Sequence, residues 1–301
     1  MSTKFVEGVG GKLAEQWVAT LLTPAFAFWA GGLAAWGYRY GWASLQTPFT
    51  ALSEPLQIAF LVALFLGVTT SAFVVQRFDL MALRSLEGYW PWLFFPLRWL
   101  LLWWQKKQYE KSRQQWQALM SKERQALTAR ETERLARLDE WLIRMPRRPE
   151  QLLPTRLGNL LRAAELRPQY KYGLDTVICW PRLWLLLPDA VKKDLQEARA
   201  DLNTAARTWL WSLLFIVWTP WAWWAAPIGI GVALFTYYSW ALNAAKNYGE
   251  LIEATFDVHR HLLYESLRWD LPDSDKPSEE RQKGRKLTEY LWRGVKPDEA
   301  N

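Results

Sequence analysis

The chain is poor in the side chains that most enzyme and metal chemistry needs. Cys179 is its single cysteine, and His259 and His261 are its two histidines among 301 residues. A lone cysteine excludes an intramolecular disulfide and a multi-cysteine metal site. Histidines two apart lie on different faces of a helix. Asp257 and His261, at i and i+4, would need a third ligand, and a hydrogen-bonded surface pair accounts for them more simply. A Walker loop, a GxGxxG turn after a strand, an HExxH helix and a GxSxG elbow are all absent. The reading is a protein that is not an enzyme, with no catalytic residues, no metal and no cofactor.

Charge is missing from three windows, residues 16–38, 55–76 and 208–245. A bilayer core about 30 Å thick takes about 20 apolar residues as a helix. The first two windows suit one span each. The third is too long for one span and is interrupted at Thr219-Pro220 and Ala226-Pro227. It reads as a tight hairpin with Trp221, Trp223 and Trp224 at the turn, the headgroup depth that indole prefers. A mean hydropathy of −0.16 points to a soluble chain only because the scale counts Trp and Tyr as polar, and there are 22 Trp and 11 Tyr. Lys4 and Lys12 are offset by Glu7 and Glu15, and the apolar run after them is longer than a cleaved signal needs. The expected fold is therefore all-α, a polytopic membrane protein with four transmembrane helices in two hairpins, 1–76 and 208–245. Ala27, Gly31 and Ala35 on the first span and Ala63, Gly67 and Ser71 on the second recur every four residues. These small faces are expected to meet in an antiparallel pair.

The windows are flanked by base. Arg77 and Arg84 follow the second span, Arg199 and Arg207 precede the third, and Lys246 follows the fourth, whereas the link 39–54 carries only Arg39 and Glu54. Basic flanks stay on the cytoplasmic side, so both termini and the long central loop are expected there. The net charge of +7 suits anionic headgroups, about 1 kcal/mol per Lys or Arg near the surface. Acids and bases are near parity along 105–145, which argues against nucleic acid as a partner. Within 77–104, the apolar stretch 88–104 is broken by Pro91, Pro96 and Arg98. It is expected to lie in the interface or re-enter rather than to span.

Residues 105–207 read as a cytosolic helical domain. From Gln105 to about Met145 the pattern predicts one long charged helix, with Leu135, Leu138, Leu142 and Met145 on a 3-4-3 seam that pairs with later helices or with a second copy. Pro146 stops it. Thr155 caps a helix over 155–166, Asp175 caps one through Leu187, and Pro188-Asp189 opens one expected to run to about 219. The fourth span is expected to continue as a helix extension through 246–271, so that two protruding helices tie the cytosolic part to the bilayer. Residues 272–301 read as a flexible tail, with a weak amphipathic helix over 279–293 through Leu287, Tyr290 and Leu291.

Two polar clusters are the candidates for a site. One is Arg156, Asn159, Arg162 and Glu165 with Tyr172 and Asp175. The other is Glu250, Glu253, Asp257, Arg260 and Tyr264. Their opposite charges would pair two helical elements, or hold a small charged ligand or a cytosolic protein through arginine forks. From these, Arg156, Asn159, Arg162, Glu165, Tyr172, Asp175, Asp257 and Arg260 are the expected ligand- or partner-binding residues. Pro154-Thr-Arg-Leu-Gly-Asn-Leu-Leu-Arg-Ala-Ala-Glu165, Tyr172-Gly-Leu-Asp175 and Trp180-Pro-Arg-Leu-Trp184 resemble a block in a family of uncharacterised bacterial multi-pass inner-membrane proteins. So do Tyr248-Gly-Glu-Leu-Ile252 and Phe256-Asp-Val-His-Arg260. The resemblance implies a bacterial inner (plasma) membrane location and brings no activity with it. The functional expectation is a non-enzymatic membrane protein, a homo-oligomer, whose cytosolic helices sense a partner or ligand and couple it to the transmembrane bundle. A homo-oligomeric ion channel or pore is the alternative, and a lipid-acting interfacial enzyme the second alternative.

Overall fold

Every regular element in the computed structural model is helical, and no strand occurs among the described residues, which are 23–122, 127–273 and 275–294. The chain divides into two compact units. The first, here the apolar unit, comprises 1–83 with 201–241. The second, the charged unit, comprises 84–200 with 242–301. Residues 16–22 of the first expected span lie outside the described residues, as do 295–301 of the expected tail.

In the apolar unit, residues 23–40 form helix α1. It is followed by α2 (Ala43–Thr50), α3 (Glu54–Gln76) and the start of α4 (Asp79–Glu87). Glu54 and Pro55 open α3, the acid in the first turn and the proline where no N–H is needed. The later part of this unit begins with the end of α9 (Asp189–Leu214), prolonged by the 3-10 turn Phe215–Trp218. After the turn at 219–224, α10 (Ala225–Phe235) passes through a π-helical stretch, Thr236–Ala241, into α11 (Leu242–His259). Two helices are long and apolar enough to cross a membrane, Glu54–Gln76 and the continuous Ala225–His259. The four expected spans are thus two among the described residues. The segment 208–218 is the apolar end of a helix whose first half is charged, and a turn cuts it off after Trp218.

Packing in this unit corrects one expectation. The small faces of α1 and α3 do not meet. A side chain on Gly31 or Gly32 would strike the rings of Phe215 and Trp218, at 2.1 and 2.4 Å, so these glycines are notches for aromatic rings. Gly67 faces open space, with nothing within 4 Å of where its Cβ would be. α3 instead turns Val68, Ala72 and Val75 inward onto Ala25 and Trp211. Ring docking wins because a ring seated in a glycine notch makes more dispersion contact than two small side chains can. Trp29 Nε1 donates to Ser71 Oγ at 3.0 Å. Arg207 and Asp79 form a buried two-pronged ion pair, with Nε to Oδ1 at 2.9 Å.

In the charged unit, α5 (Phe95–Met120) and α6 (Ala129–Ile143) are two helices, where one helix from Gln105 to Met145 was expected. They fold back antiparallel. Trp116 Nε1 donates to Asp139, Arg134 reaches Gln115 at 3.1 Å, and Lys122 meets Glu131 at 2.6 Å. The restart is local: Thr128 and Glu131 form a reciprocal capping box. The Leu142–Met145 end of the seam packs on Tyr109 and Leu152. Residues 95–104, expected in a separate interfacial piece, are the first turns of α5.

The rest of the unit is built on α7 (Arg156–Tyr172) and α8 (Thr176–Leu186), joined at Gly173, whose φ of 76° needs glycine. α7 packs along α11, most closely where a Cβ on Gly249 would lie 3.1 Å from that of Ala164. Leu183, Leu195, Ile252, Phe256 and Leu263 form the core with Leu287 of α13 (Pro277–Arg293). The tail expected to be flexible is therefore a docked helix over 277–293. Gly284 seats it, because any side chain there would strike the Tyr172 carbonyl at 1.9 Å. The short α12 (His261–Ser266) precedes it.

Candidate functional site

α7 and α11 run parallel with a constant offset of 86 residues, which sets two bases four apart against two acids four apart. Arg167 pairs with Glu253. Lys171 Nζ lies 2.7 Å from Glu253 and 3.0 Å from Asp257. Tyr172 Oη donates to Asp257 at 2.7 Å. The Arg260 guanidinium lies 4.1 Å over the Tyr172 ring, and its Nε donates to buried Glu280 of α13 at 2.7 Å. The result is an open chain of three cations and three carboxylates, running from Arg167 to Glu280.

The electrostatics keep Lys171 charged and Tyr172 neutral near neutral pH. Burial alone would lower Lys171, but the hydrogen bonds it donates to Glu253 and Asp257 hold its pKa above the ordinary lysine value. Burial, reinforced by the bond to Asp257, raises the Tyr172 phenol, so it stays a donor. Burial also pushes the Cys179 thiol up to about 11, which leaves no thiolate at neutral pH. Burial raises Tyr264 as well. Among the described residues, no base is hydrogen-bonded to Cys179. The space beside the chain, lined by Leu160, Ala164, Gly249 and Arg167, is about 90 Å³. That is well below the roughly 300 Å³ at which small-molecule clefts begin.

Of the expected residues, the structure brings Tyr172, Asp257 and Arg260 together. The others serve elsewhere. Asn159 is fully buried and clamps Leu153, accepting from its N at 2.7 Å and donating to its O at 3.0 Å. Asp175 caps α8 through the N–H groups of Val177 and Ile178. Arg162 pairs with Glu165 at 3.2 Å within α7, and Arg156 is exposed in its first turn. Asn159 and Asp175 thus act as a clamp and a cap within their own segments. Arg167, Lys171 and Glu280 were missed. The first two carried a signal, a base pair at i and i+4 on one helix matching Glu253 and Asp257 on another. Glu280 carried none, because it sits in a segment that reads as tail.

Comparison with protein-family models, with curated proteins and with solved structures finds no match in any of the three.

Proposed function

We propose that this is an integral membrane protein whose charged helical unit is a non-catalytic sensor or scaffold on the cytoplasmic side. The reading takes four spans, both termini in the cytoplasm of a bacterial inner membrane, and anionic headgroups against the basic flanks. The observation that carries it is α3. Only 11% of its apolar window is buried, and Leu56, Ile58, Phe60, Leu61 and Leu66 are each more than half exposed. A soluble core helix of this hydropathy would be mostly buried. Left in water, such a surface would cost about 25 cal/mol per Å² of apolar area, and hydrocarbon removes that cost. The mutually paired charges of the ion-pair chain and the protonated Cys179 support the non-catalytic part.

The test is alkaline carbonate extraction of membranes from cells expressing the full chain, with reporter fusions after Gly41 and after Ser121. The expected result is a chain that stays in the pellet, with the Ser121 fusion cytoplasmic and the Gly41 fusion outside. Release into the supernatant sinks the membrane reading. A homo-oligomeric channel is the second reading, favoured by Gly67, which opens to no neighbour on the exposed face of α3. A single-chain mass in mild detergent, or an ion-tight liposome, removes it.

A further inference from the structure

The charged unit holds a cleft that the ion-pair chain does not fill, between α5, the connection after α6, and α7. Its volume is about 450 Å³, within the range of small-molecule sites. Leu142 and Met145 line its floor, and Tyr109, Trp116 and Tyr170 present rings to it. The neutral polar groups there are committed. Tyr109 Oη donates to the Arg147 carbonyl at 2.8 Å, Tyr170 Oη donates to Gln151, and Trp116 Nε1 donates to Asp139. That last bond also engages the one carboxylate of the lining. Arg167 is held by Glu253 and the Ile143 carbonyl.

Two guanidinium groups remain, Arg113 and Arg147. Both line the cleft beside Tyr109, and both, like Glu150, act on its phenol electrostatically. Among the described residues neither forms an ion pair. Arg147 stacks over the Tyr170 ring at 4.9 Å, which uses the face of its guanidinium and leaves its N–H edge for a ligand. Its backbone is fixed by Tyr109. A guanidinium fork matches a carboxylate or a phosphate, and the ring walls match a flat apolar body.

We propose that this cleft binds a small organic anion, a carboxylate or phosphate carried on a flat ring, with Arg113 and Arg147 on the anion and Tyr109, Trp116 and Tyr170 around the ring. This rests on the sensor reading above and names its ligand class. Arg167 lines the cleft and also starts the ion-pair chain, so occupancy is felt at the α7–α11 seam.

The experiment is isothermal titration calorimetry on the purified full chain in an uncharged detergent. The probes are adenosine monophosphate and 2-naphthoate as ring-bearing phosphate and carboxylate, with adenosine and inorganic phosphate as the two halves. Saturable binding of at least one ring-bearing anion is expected, tighter than its halves. Arg113→Gln and Arg147→Gln are each expected to weaken it by roughly tenfold or more, the worth of one charge-assisted hydrogen bond. Both side chains are exposed, so the melting temperature should not move. Which probe wins separates phosphate from carboxylate. Adenosine binding as well as its phosphate, unchanged affinity in both variants, or no saturable binding of either anion overturns the proposal. The membrane reading is scored separately by extraction of the same chain, so binding can fail while insertion stands.

Discussion

The helix Ala225–His259 is built on two opposite plans. In its first part Ala225, Gly229 and Ala233 point inward, four apart, while Ile228, Ile230, Leu234 and Phe235 are exposed. In its last part Ile252 and Phe256 point inward, while Asn243, Asn247 and Glu250 are exposed. The second plan is that of a helix in water, where burying large apolar groups drives folding. The first is the plan expected where the outer solvent is hydrocarbon. There burying an isoleucine gains little, and small residues allow close backbone approach. The change falls across the π-helical stretch Thr236–Ala241, a local rewinding that shifts which face is inside. One continuous element thus carries both rules, and sequence hydropathy averaged over it would report neither.

The sharpest way to break this comparison is to delete the same ring on each side. Phe256 is fully buried and Phe235 is 69% exposed. Phe256→Ala should destabilise the charged unit by about 3–5 kcal/mol through the cavity it leaves. Phe235→Ala should cost less than about 1 kcal/mol, because no packed neighbour loses its partner. Thermal melts of the two variants in detergent decide it, and equal losses would erase the distinction. Next comes charge. Leu66→Arg, at the middle of α3, should cost about 2.5–3.5 kcal/mol of insertion, read as loss from the carbonate-resistant pellet. Val177→Arg, at a position even more exposed in the charged unit (72% against 57% for Leu66), should stay within about 0.5 kcal/mol. A pellet fraction untouched by Leu66→Arg would contradict a hydrocarbon surround.

Smaller effects test whether each unit is held by its own ion pairs. Glu280→Gln removes the counter-charge of Arg260 and should loosen α13 by about 1–3 kcal/mol, seen as faster amide exchange over 277–293. Asp79→Asn should do the same to the Arg207 region of the apolar unit and leave α13 unchanged. Exchange that spreads from either variant into the other unit would show that the pairs are not local.

Class and composition were legible, and partners were not. Charge-free windows point to helices of a certain length, and the caps at Thr155 and Asp175 follow from side-chain chemistry within four residues. Which face of α3 turns inward depends on Trp211, more than a hundred residues away, and no periodicity carries that. The seats of α13 are Gly284 and the carbonyl of Tyr172, again a distant meeting, so a segment rich in charge read as tail. The break between α5 and α6 was different. Thr128-Ala-Arg-Glu131 is a capping box in plain view, outweighed by a heptad seam that spans only Leu135 to Met145. A short-range polar signal carries more weight than a hydrophobic repeat of only about three turns. In the candidate site, Tyr172, Asp257 and Arg260 were reachable from charge complementarity. The arginines of the cleft were not, since nothing local marks an arginine as lacking a partner.

That capping box supplies the smallest expected effect, and the one most specific to a water-facing helix end. Hydrogen bonds from Lys122 and then from Thr128 hold the Glu131 carboxyl down to about 2, against an ordinary 4.5. The folded group binds its proton less readily than the unfolded one. Its contribution is therefore complete above pH 4.5 and is lost as the pH falls toward 2. Glu131 and Lys122 are both open to solvent, so salt should shrink the effect further. Amide exchange at the start of α6 should quicken between pH 4.5 and 2, after correction for intrinsic rates, and Glu131→Gln should flatten that dependence. No such titration is expected along α3 beyond Glu54, where the chain offers no carboxylate until Asp79. Should Glu131→Gln keep the full acid sensitivity, the restart of α6 rests on packing against α5 and not on its cap.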